Sequence, residues 1–164
     1  MPKGDKLEAI IRASTELGVA RIVPIITERT IVRLDAARVR DRARRWQRVA
    51  TEAAKQCGRA VIPTVEPPRP LSEFLGADSH GALRLCLWEG EARGLDPALS
   101  GVAGPVPSAT VLIGPEGGLS AAEVESAKAR GFIPASLGPR ILRTETAGPA
   151  IIAVLQSRLG DLGR

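Results

Sequence analysis

A glycine-rich segment with the sequence GPEGG occupies residues 114–118, directly after an apolar run that is typical of a buried parallel strand. Ser120 and Glu123 follow with the spacing of a capping box, which predicts that a helix begins there. Ligands of open α/β sheets bind at such strand-to-helix junctions, and glycines let a flat ligand approach the backbone closely. The segment therefore predicts a ligand site, although a tight turn without a ligand would use the same residues.

The same segment lacks the residues of the common phosphate-binding loops. No Gly-Lys-Ser/Thr follows it, which excludes a Walker A loop, and the GxGxxG of dinucleotide-binding folds is absent. Glu116 adds a negative charge where a phosphate-binding loop would avoid one. The pattern favours a neutral or cationic ligand over a triphosphate.

A second unusual segment, LGPRILRTETA, covers residues 137–147, where apolar and charged residues alternate. In one interpretation Ile141 and Leu142 pack into the core, with Arg143 and Glu145 paired at its edge. In the other, Ile141 and Leu142 form a slot for a base ring and Arg143 is directed at an anion. The residues alone leave both open.

Strands and helices alternate along the chain, which predicts an α/β fold with a parallel sheet flanked by helices. The predicted strands cover residues 21–25, 61–66, 83–88, 109–113 and 132–137. The predicted helices cover residues 5–17, 35–57, 71–75 and 120–130, with a last helix whose N-cap is Thr146 and which has Pro149 at position N3. Asp5 and Glu8 predict a further capping box. The proline-rich residues 67–70 are expected to break a strand, and residues 89–107 to form a loop.

Positive charge is concentrated in the second predicted helix. The chain carries a net charge of +5, and six arginines lie between Arg38 and Arg48. The apolar stripe of this helix consists of Val39, Ala43, Trp46, Ala50, Ala53 and Cys57. The arginines that lie mostly off the stripe are Arg38, Arg42, Arg45 and Arg48. They form either a solvated face or a surface for phosphates.

Several classes of protein are not expected from the composition. The two cysteines, Cys57 and Cys86, form no CxxC, and the single histidine, His80, lies in a polar stretch that predicts a solvated loop, so no zinc site is expected. No apolar run approaches the roughly 18 residues that span a bilayer. The first residues lack the pattern of a signal peptide, so a cytoplasmic protein with one domain over residues 1–164 is expected.

The two motif segments resemble the signature of the SPOUT superfamily of RNA methyltransferases, in Gly114–Gly118, Leu137–Gly138 and Ile141–Ala147. More narrowly, they resemble the family that methylates N3 of a uridine in bacterial small-subunit ribosomal RNA, small-subunit methyltransferase E. The likeness spans nearly the whole chain in the order of the family. Further matches are Thr15–Val19, Thr27–Arg29, Glu52–Gln56 and Arg59.

This resemblance implies a trefoil knot in the C-terminal half of the chain, a homodimer with the active site near the subunit interface, and S-adenosylmethionine as the cofactor. It also implies a preceding RNA-binding β-barrel, which this sequence lacks. The residues that would hold the cofactor are Leu87, Trp88, Glu89, Gly90, Gly114, Pro115, Glu116, Gly117, Gly118, Ser136, Leu137, Gly138, Ile141, Leu142, Arg143 and Thr146.

The resemblance further implies a transfer of the methyl group without a metal, a redox step or a covalent intermediate. Uridine N3 must lose its proton before it can attack, so Arg143 is expected to stabilise the uracil anion. Glu145 would orient Arg143 or accept the proton. Arg12, which replaces a lysine of the family, Arg29 and Arg59 are the expected contacts to ribosomal RNA, with surface ion pairs as the alternative.

Three other functions fit parts of the sequence. The chain could be another SPOUT methyltransferase that acts on transfer RNA or on a different ribosomal base. It could be a non-catalytic RNA-binding module that keeps the fold. A nucleotide-binding enzyme of flavodoxin-like topology is the third alternative, and the missing phosphate loop disfavours it.

Overall fold

The computed structural model describes residues 6–30, 36–77, 81–90, 92–102 and 106–163, and His80 lies outside these ranges. The helices are α1 (Lys6–Glu16), α2 (Ala36–Gln56), α3 (Leu71–Gly76), α4 (Leu95–Leu99), α5 (Ala121–Lys128) and α6 (Thr144–Leu159). The strands are β1 (Arg21–Ile22), β2 (Ile25–Ile26), β3 (Thr64–Val65), β4 (Arg69–Pro70), β5 (Leu83–Leu87), β6 (Arg93–Gly94), β7 (Ala109–Ile113) and β8 (Ile133–Ser136).

A four-stranded sheet with the order β6-β8-β5-β7 forms the centre of the fold, and each of its neighbouring pairs is parallel. Two further parallel pairs, β1 with β3 and β2 with β4, lie in the N-terminal half. Helices cover the sheet, so the predicted α/β fold with parallel strands flanked by helices is confirmed.

Side chains of β5 alternate between the two faces of the sheet, as the strand period of two requires. Leu85 packs with Ile151 and Leu155 of α6. Its neighbour Cys86 packs in another cluster with Val124 of α5. Both faces of the strand are therefore buried, which explains its continuous apolar sequence.

The long helix α2 packs against α1, which also contacts α6. Trp46 and Ala50 of α2 are buried against Ile11 of α1, so this part of the predicted apolar stripe is confirmed. Cys57 is exposed, and its predicted place on the stripe is wrong because the helix ends at Gln56.

Glu8 is held by two arginines. Its carboxylate lies 2.6 Å from Arg45 Nε and 3.8 Å from Arg12 Nη2, and its side chain is only 10% exposed. Asp5, the partner of Glu8 in the predicted capping box, lies outside the described residues. Within those residues, the carboxylate of Glu8 connects α1 to α2.

Three predicted strand boundaries are wrong. Residues 21–25 form two short strands because each pairs with a different partner, and the strand predicted at 61–66 is reduced to β3. The proline-rich residues 67–70 do not only break a strand, because β4 pairs with β2. The amide of Arg69 donates to the carbonyl of Pro24 at 3.1 Å, while Pro70 lies at the strand end, where its missing N–H does little harm.

The loop predicted at residues 89–107 is also wrong in part, since it contains β6 and α4. β6 adds to the edge of the sheet by pairing with β8. Ala98 of α4 is buried in the cluster that contains Leu83 and Leu85. Contacts with residues that are distant in the sequence therefore stabilise both elements.

The capping box at the start of α5 is confirmed, because the side chains of Ser120 and Glu123 each accept a hydrogen bond from the backbone of the other. The predicted start of α6 is wrong: Arg143, not Thr146, is the N-cap residue, and its carbonyl accepts from the amide of Ala147 at 2.8 Å. Pro149 therefore lies in the second turn. Since it has no N–H, it cannot donate to the carbonyl four residues earlier.

None of the helices in the described part of the chain has both the length and the apolarity needed to cross a membrane.

Candidate functional site

The C-terminal ends of β5, β7 and β8 meet at one edge of the central sheet, since these strands are parallel. A cavity of about 290 Å³ opens there. Predicted site residues that line it are Leu87, Trp88, Glu89, Gly90, Gly114, Pro115, Gly118, Ser136, Leu137, Gly138, Ile141 and Leu142. The structure thus brings three distant segments of the sequence to one place.

Other predicted residues lie outside this lining: Glu116, Gly117, Arg143 and Thr146. Lining residues that the sequence reasoning missed are Ala92, Ile113, Ala135, Pro139, Arg140, Thr144 and Ala147. Ile113 and Ala135 could have been found, because they lie at or near the ends of predicted parallel strands. Ala92 could not, because its position depends on the unpredicted β6.

The glycine-rich loop, residues 114–118, is folded tightly on itself. The amide of Gly118 donates to the carbonyl of Pro115 at 2.9 Å. A Cβ atom on Gly114 would lie 2.9 Å from both the carbonyl carbon of Gly118 and the amide nitrogen of Leu119. Only glycine fits at position 114 without a shift of the backbone.

Two neighbouring segments hold this loop in place. The hydroxyl of Thr144, at the start of α6, donates to the carbonyl of Gly114 at 3.2 Å. Arg29 Nη1 donates to the carbonyl of Gly117 at 2.8 Å. Arg29, predicted to contact RNA, therefore also supports the glycine-rich loop.

Lys6 connects the loop to α6. Its Nζ lies 3.2 Å from Glu116 Oε1 and 3.5 Å from Glu145 Oε1. The second oxygen of Glu145 is buried and has no hydrogen-bond partner among the described residues. The expected ion pair of Glu145 with Arg143 is not found in the described part of the chain, where Glu145 pairs with Lys6.

The second loop, residues 137–143, is more open. Ile141 is 82% exposed, so the interpretation that packs it into the core is wrong. Leu142 is half-buried, and both side chains line the cavity. Arg143 is exposed at the N-terminus of α6, where the helix dipole favours negative charge. An apolar cavity beside such a helix end suits a flat ligand next to a developing anion.

The other two predicted RNA contacts lie away from the cavity. Arg59 Nη1 donates to the carbonyls of Thr15 at 2.7 Å and Val19 at 2.8 Å, and so caps the end of α1. Arg12 is exposed and lies in a groove between α1 and α2. Contact with RNA stays a prediction for both residues.

Cys86, next to the cavity-lining Leu87, is a chemically inert thiol at neutral pH. Burial and, to a smaller extent, the charge of Glu123 raise the pKa of Cys86 to about 12. The thiolate that would act as a nucleophile is therefore not populated. Over the described ranges, no group of three or more His, Cys, Asp or Glu side chains is placed to hold a metal ion.

Comparison with known proteins identifies the family. The profile of the RNA methyltransferase domain matches residues 1–156. The chain belongs to this RNA methyltransferase family. Among its relatives are the ribosomal RNA small subunit methyltransferases E of Bacillus subtilis, 37% identical over 151 residues, and of Synechocystis, 37% identical over 162 residues. These relatives confirm the resemblance drawn from the two motif segments.

This RNA methyltransferase domain covers 90% of its own length but 59% of the relative's in the first alignment, and 97% and 52% in the second. The chain therefore spans between half and three fifths of these relatives.

Solved structures show the same fold. The ribosomal RNA small subunit methyltransferase E of Neisseria gonorrhoeae, bound to S-adenosyl methionine, superposes with a TM-score of 0.86 at 35% identity, over 99% of this chain and 65% of that one. A Legionella pneumophila protein described as a methyltransferase, in complex with the same cofactor, gives 0.87 at 37% identity, over 96% and 63%.

Proposed function

We propose that this domain catalyses the S-adenosylmethionine-dependent methylation of small-subunit ribosomal RNA. The observation that carries the proposal is the cavity at the ends of β5, β7 and β8, where the predicted cofactor residues come together beside Arg143. The names of the relatives, and the cofactor bound to two structural neighbours, support it.

The residues of the cavity fit this cofactor. A volume of about 290 Å³ is near the lower end of small-molecule pockets, which range from about 300 to 1,000 Å³. Leu87, Ile113 and Leu142 offer apolar contacts for a flat base, and Glu89 offers a carboxylate for a cationic group. When bound, S-adenosylmethionine supplies an electrophilic methyl group on its sulfonium.

We propose N3 of a uridine as the methylated atom, and the side chains around α6 support this choice. Arg143 would stabilise the uracil anion, helped by the positive end of the helix. Glu145 pairs with Lys6, which leaves its second oxygen to accept the N3 proton, directly or through one water molecule. This pairing favours proton acceptance over the alternative role of orienting Arg143.

We also propose that the two cavity loops belong to a trefoil knot and that the protein acts as a homodimer in the cytoplasm, where ribosomal RNA is found. The exposure of Ile141 supports the dimer, because a large apolar side chain beside a site is suited to a partner's surface. Analytical ultracentrifugation of the purified chain tests the dimer, and a purely monomeric species would contradict it.

The proposed reaction is tested by incubating the chain and S-adenosylmethionine with small ribosomal subunits that lack the modification. We expect 3-methyluridine in the nucleoside digest by mass spectrometry. A different methylated nucleoside would transfer the activity to another base. Absence of any methylation, together with absence of cofactor binding by calorimetry, would overturn the proposal for this domain.

A further inference from the structure

The first half of α2 carries a concentration of positive charge that the proposed active site does not use. Between residues 40 and 48 the helix has one acidic residue, Asp41. The arginines there are Arg40, Arg42, Arg44, Arg45 and Arg48. The second half differs, since Glu52 and Lys55 form an ion pair at 3.0 Å. The basic character is therefore confined to one half of the helix.

Three of these arginines form a continuous row. Arg40, Arg44 and Arg48 are four residues apart and exposed, so they lie along one side of the helix at intervals of about 6 Å. The core-facing side is occupied by Trp46 and Ala50, which are buried. We name Arg40, Arg44 and Arg48 the arginine ridge.

The stability of the helix does not explain the arginine ridge. The first turn of α2 contains no acidic residue, and cations near a helix N-terminus oppose its dipole. Like charges four residues apart also repel each other. Arg44 approaches Asp41 only at 4.0 Å, and in the described part of the chain no carboxylate forms an ion pair with Arg40 or Arg48. The ridge therefore presents positive charge that is largely not neutralised within those residues.

Arg45 shows what a structural arginine looks like on the same helix, because it binds the buried carboxylate of Glu8. Arg48 belongs to both surfaces: with Arg12 and Arg45 it lines a groove of about 690 Å³ between α1 and α2. The positive surface thus continues from the ridge towards α1. It ends further along the groove, where Glu16 and Glu52 are found.

We propose that the arginine ridge binds the phosphate backbone of an RNA strand that extends away from the methylated nucleotide. The evenly spaced guanidinium groups suit a chain of regularly spaced anions, and arginine binds phosphate through two parallel hydrogen bonds. Such contacts fix the position of the RNA without reading its sequence. The inference rests on the proposed function only in taking RNA as the polyanion.

The test compares two triple variants with equal loss of charge. One changes the ridge by Arg40→Gln, Arg44→Gln and Arg48→Gln. The control changes exposed cations elsewhere by Lys128→Gln, Arg130→Gln and Arg158→Gln. The affinity of each protein for transcribed small-subunit ribosomal RNA is measured at about 50 and about 200 mM salt, and calorimetry measures S-adenosylmethionine binding.

Each lost phosphate contact lowers the salt exponent by about 0.7 to 0.9, so the ridge variant should lose roughly 20- to 40-fold of the affinity gained at low salt. The control should keep the wild-type salt dependence, and all proteins should bind cofactor equally. Wild-type RNA affinity and salt dependence in the ridge variant would overturn the proposal, as would a wild-type chain that binds no RNA even at low salt. If the ridge variant alone loses RNA binding while no protein methylates RNA, the surface holds and the proposed function fails.

Discussion

The glycine-rich loop, residues 114–118, and the second loop, residues 137–143, line the same cavity but are attached to the protein in different ways. The first is held by Arg29, Thr144 and Lys6. In the second, residues 138–142 make no hydrogen bond within the described part of the chain. One wall of the cavity is therefore rigid before any ligand arrives, whereas the other is free to close over it.

The largest effect should come from Gly114→Val in the rigid loop. A side chain there meets backbone atoms at 2.9 Å, so the loop must move, and we expect cofactor affinity to fall by about 100-fold or more. Gly117→Val should also weaken binding, because its Cβ would lie 3.3 Å from Arg29 Cβ. Calorimetry measures both. Gly101→Val, whose new Cβ meets nothing within 4 Å, serves as the control. Normal cofactor binding by a folded Gly114→Val protein would show that this loop is not part of the site.

Arg143→Ala, at the end of the open loop, should separate binding from chemistry. We expect methyl transfer to fall by about 10²- to 10³-fold, as for the loss of other groups that stabilise a developing anion. Cofactor affinity should stay within about twofold, since Arg143 does not line the cavity. Single-turnover assays give the rate. Arg140→Ala is the matched control, and equal rates for the two variants would remove Arg143 from the mechanism.

Ile141→Ala tests whether the open loop closes. The side chain is 82% exposed, so its removal should change the free energy of unfolding by less than about 0.5 kcal/mol. If the loop covers the ligand, the same change should weaken cofactor binding by about tenfold. Val61→Ala, at a side chain that is 67% exposed, controls for a general effect on apolar surface. Unchanged affinity in Ile141→Ala would mean that the loop stays open.

Thr144→Val should have the smallest effect on the comparison. It removes the 3.2 Å hydrogen bond to the carbonyl of Gly114, a loss of about 1 kcal/mol, and should weaken cofactor binding by about fivefold. Thr144→Ser keeps the hydroxyl and should bind cofactor as the wild type does. Equal affinities for the valine and serine variants would show that this bond does not hold the rigid loop.

Much of the site could be predicted because its signals are local. The capping box of Ser120 and Glu123 depends on residues three apart, and the glycine-rich loop follows directly after the strand that positions it. The contact between Lys6 and Glu116 joins residues 110 apart, and nothing in either neighbourhood indicates the other. No sequence period could suggest this link.

The short strands could not be predicted for a related reason. β4 and β6 have two residues each, too few to show an alternation, and they exist because β2 and β8 supply their hydrogen bonds. The start of α6 was misplaced because Arg143 makes no side-chain cap, so the usual N-cap signal is absent there. Threonine at residue 146 offered a stronger local signal than the true boundary did.

The contrast between the two cysteines has a practical consequence for following RNA association by fluorescence. Cys86 is enclosed, and its pKa of about 12 keeps it protonated, whereas Cys57 is exposed just after the end of α2. A maleimide dye at neutral pH should therefore label Cys57 alone. The dye would sit nine residues beyond Arg48, roughly 14 Å along the same helix direction, so the native sequence already provides a single reporter beside the arginine ridge.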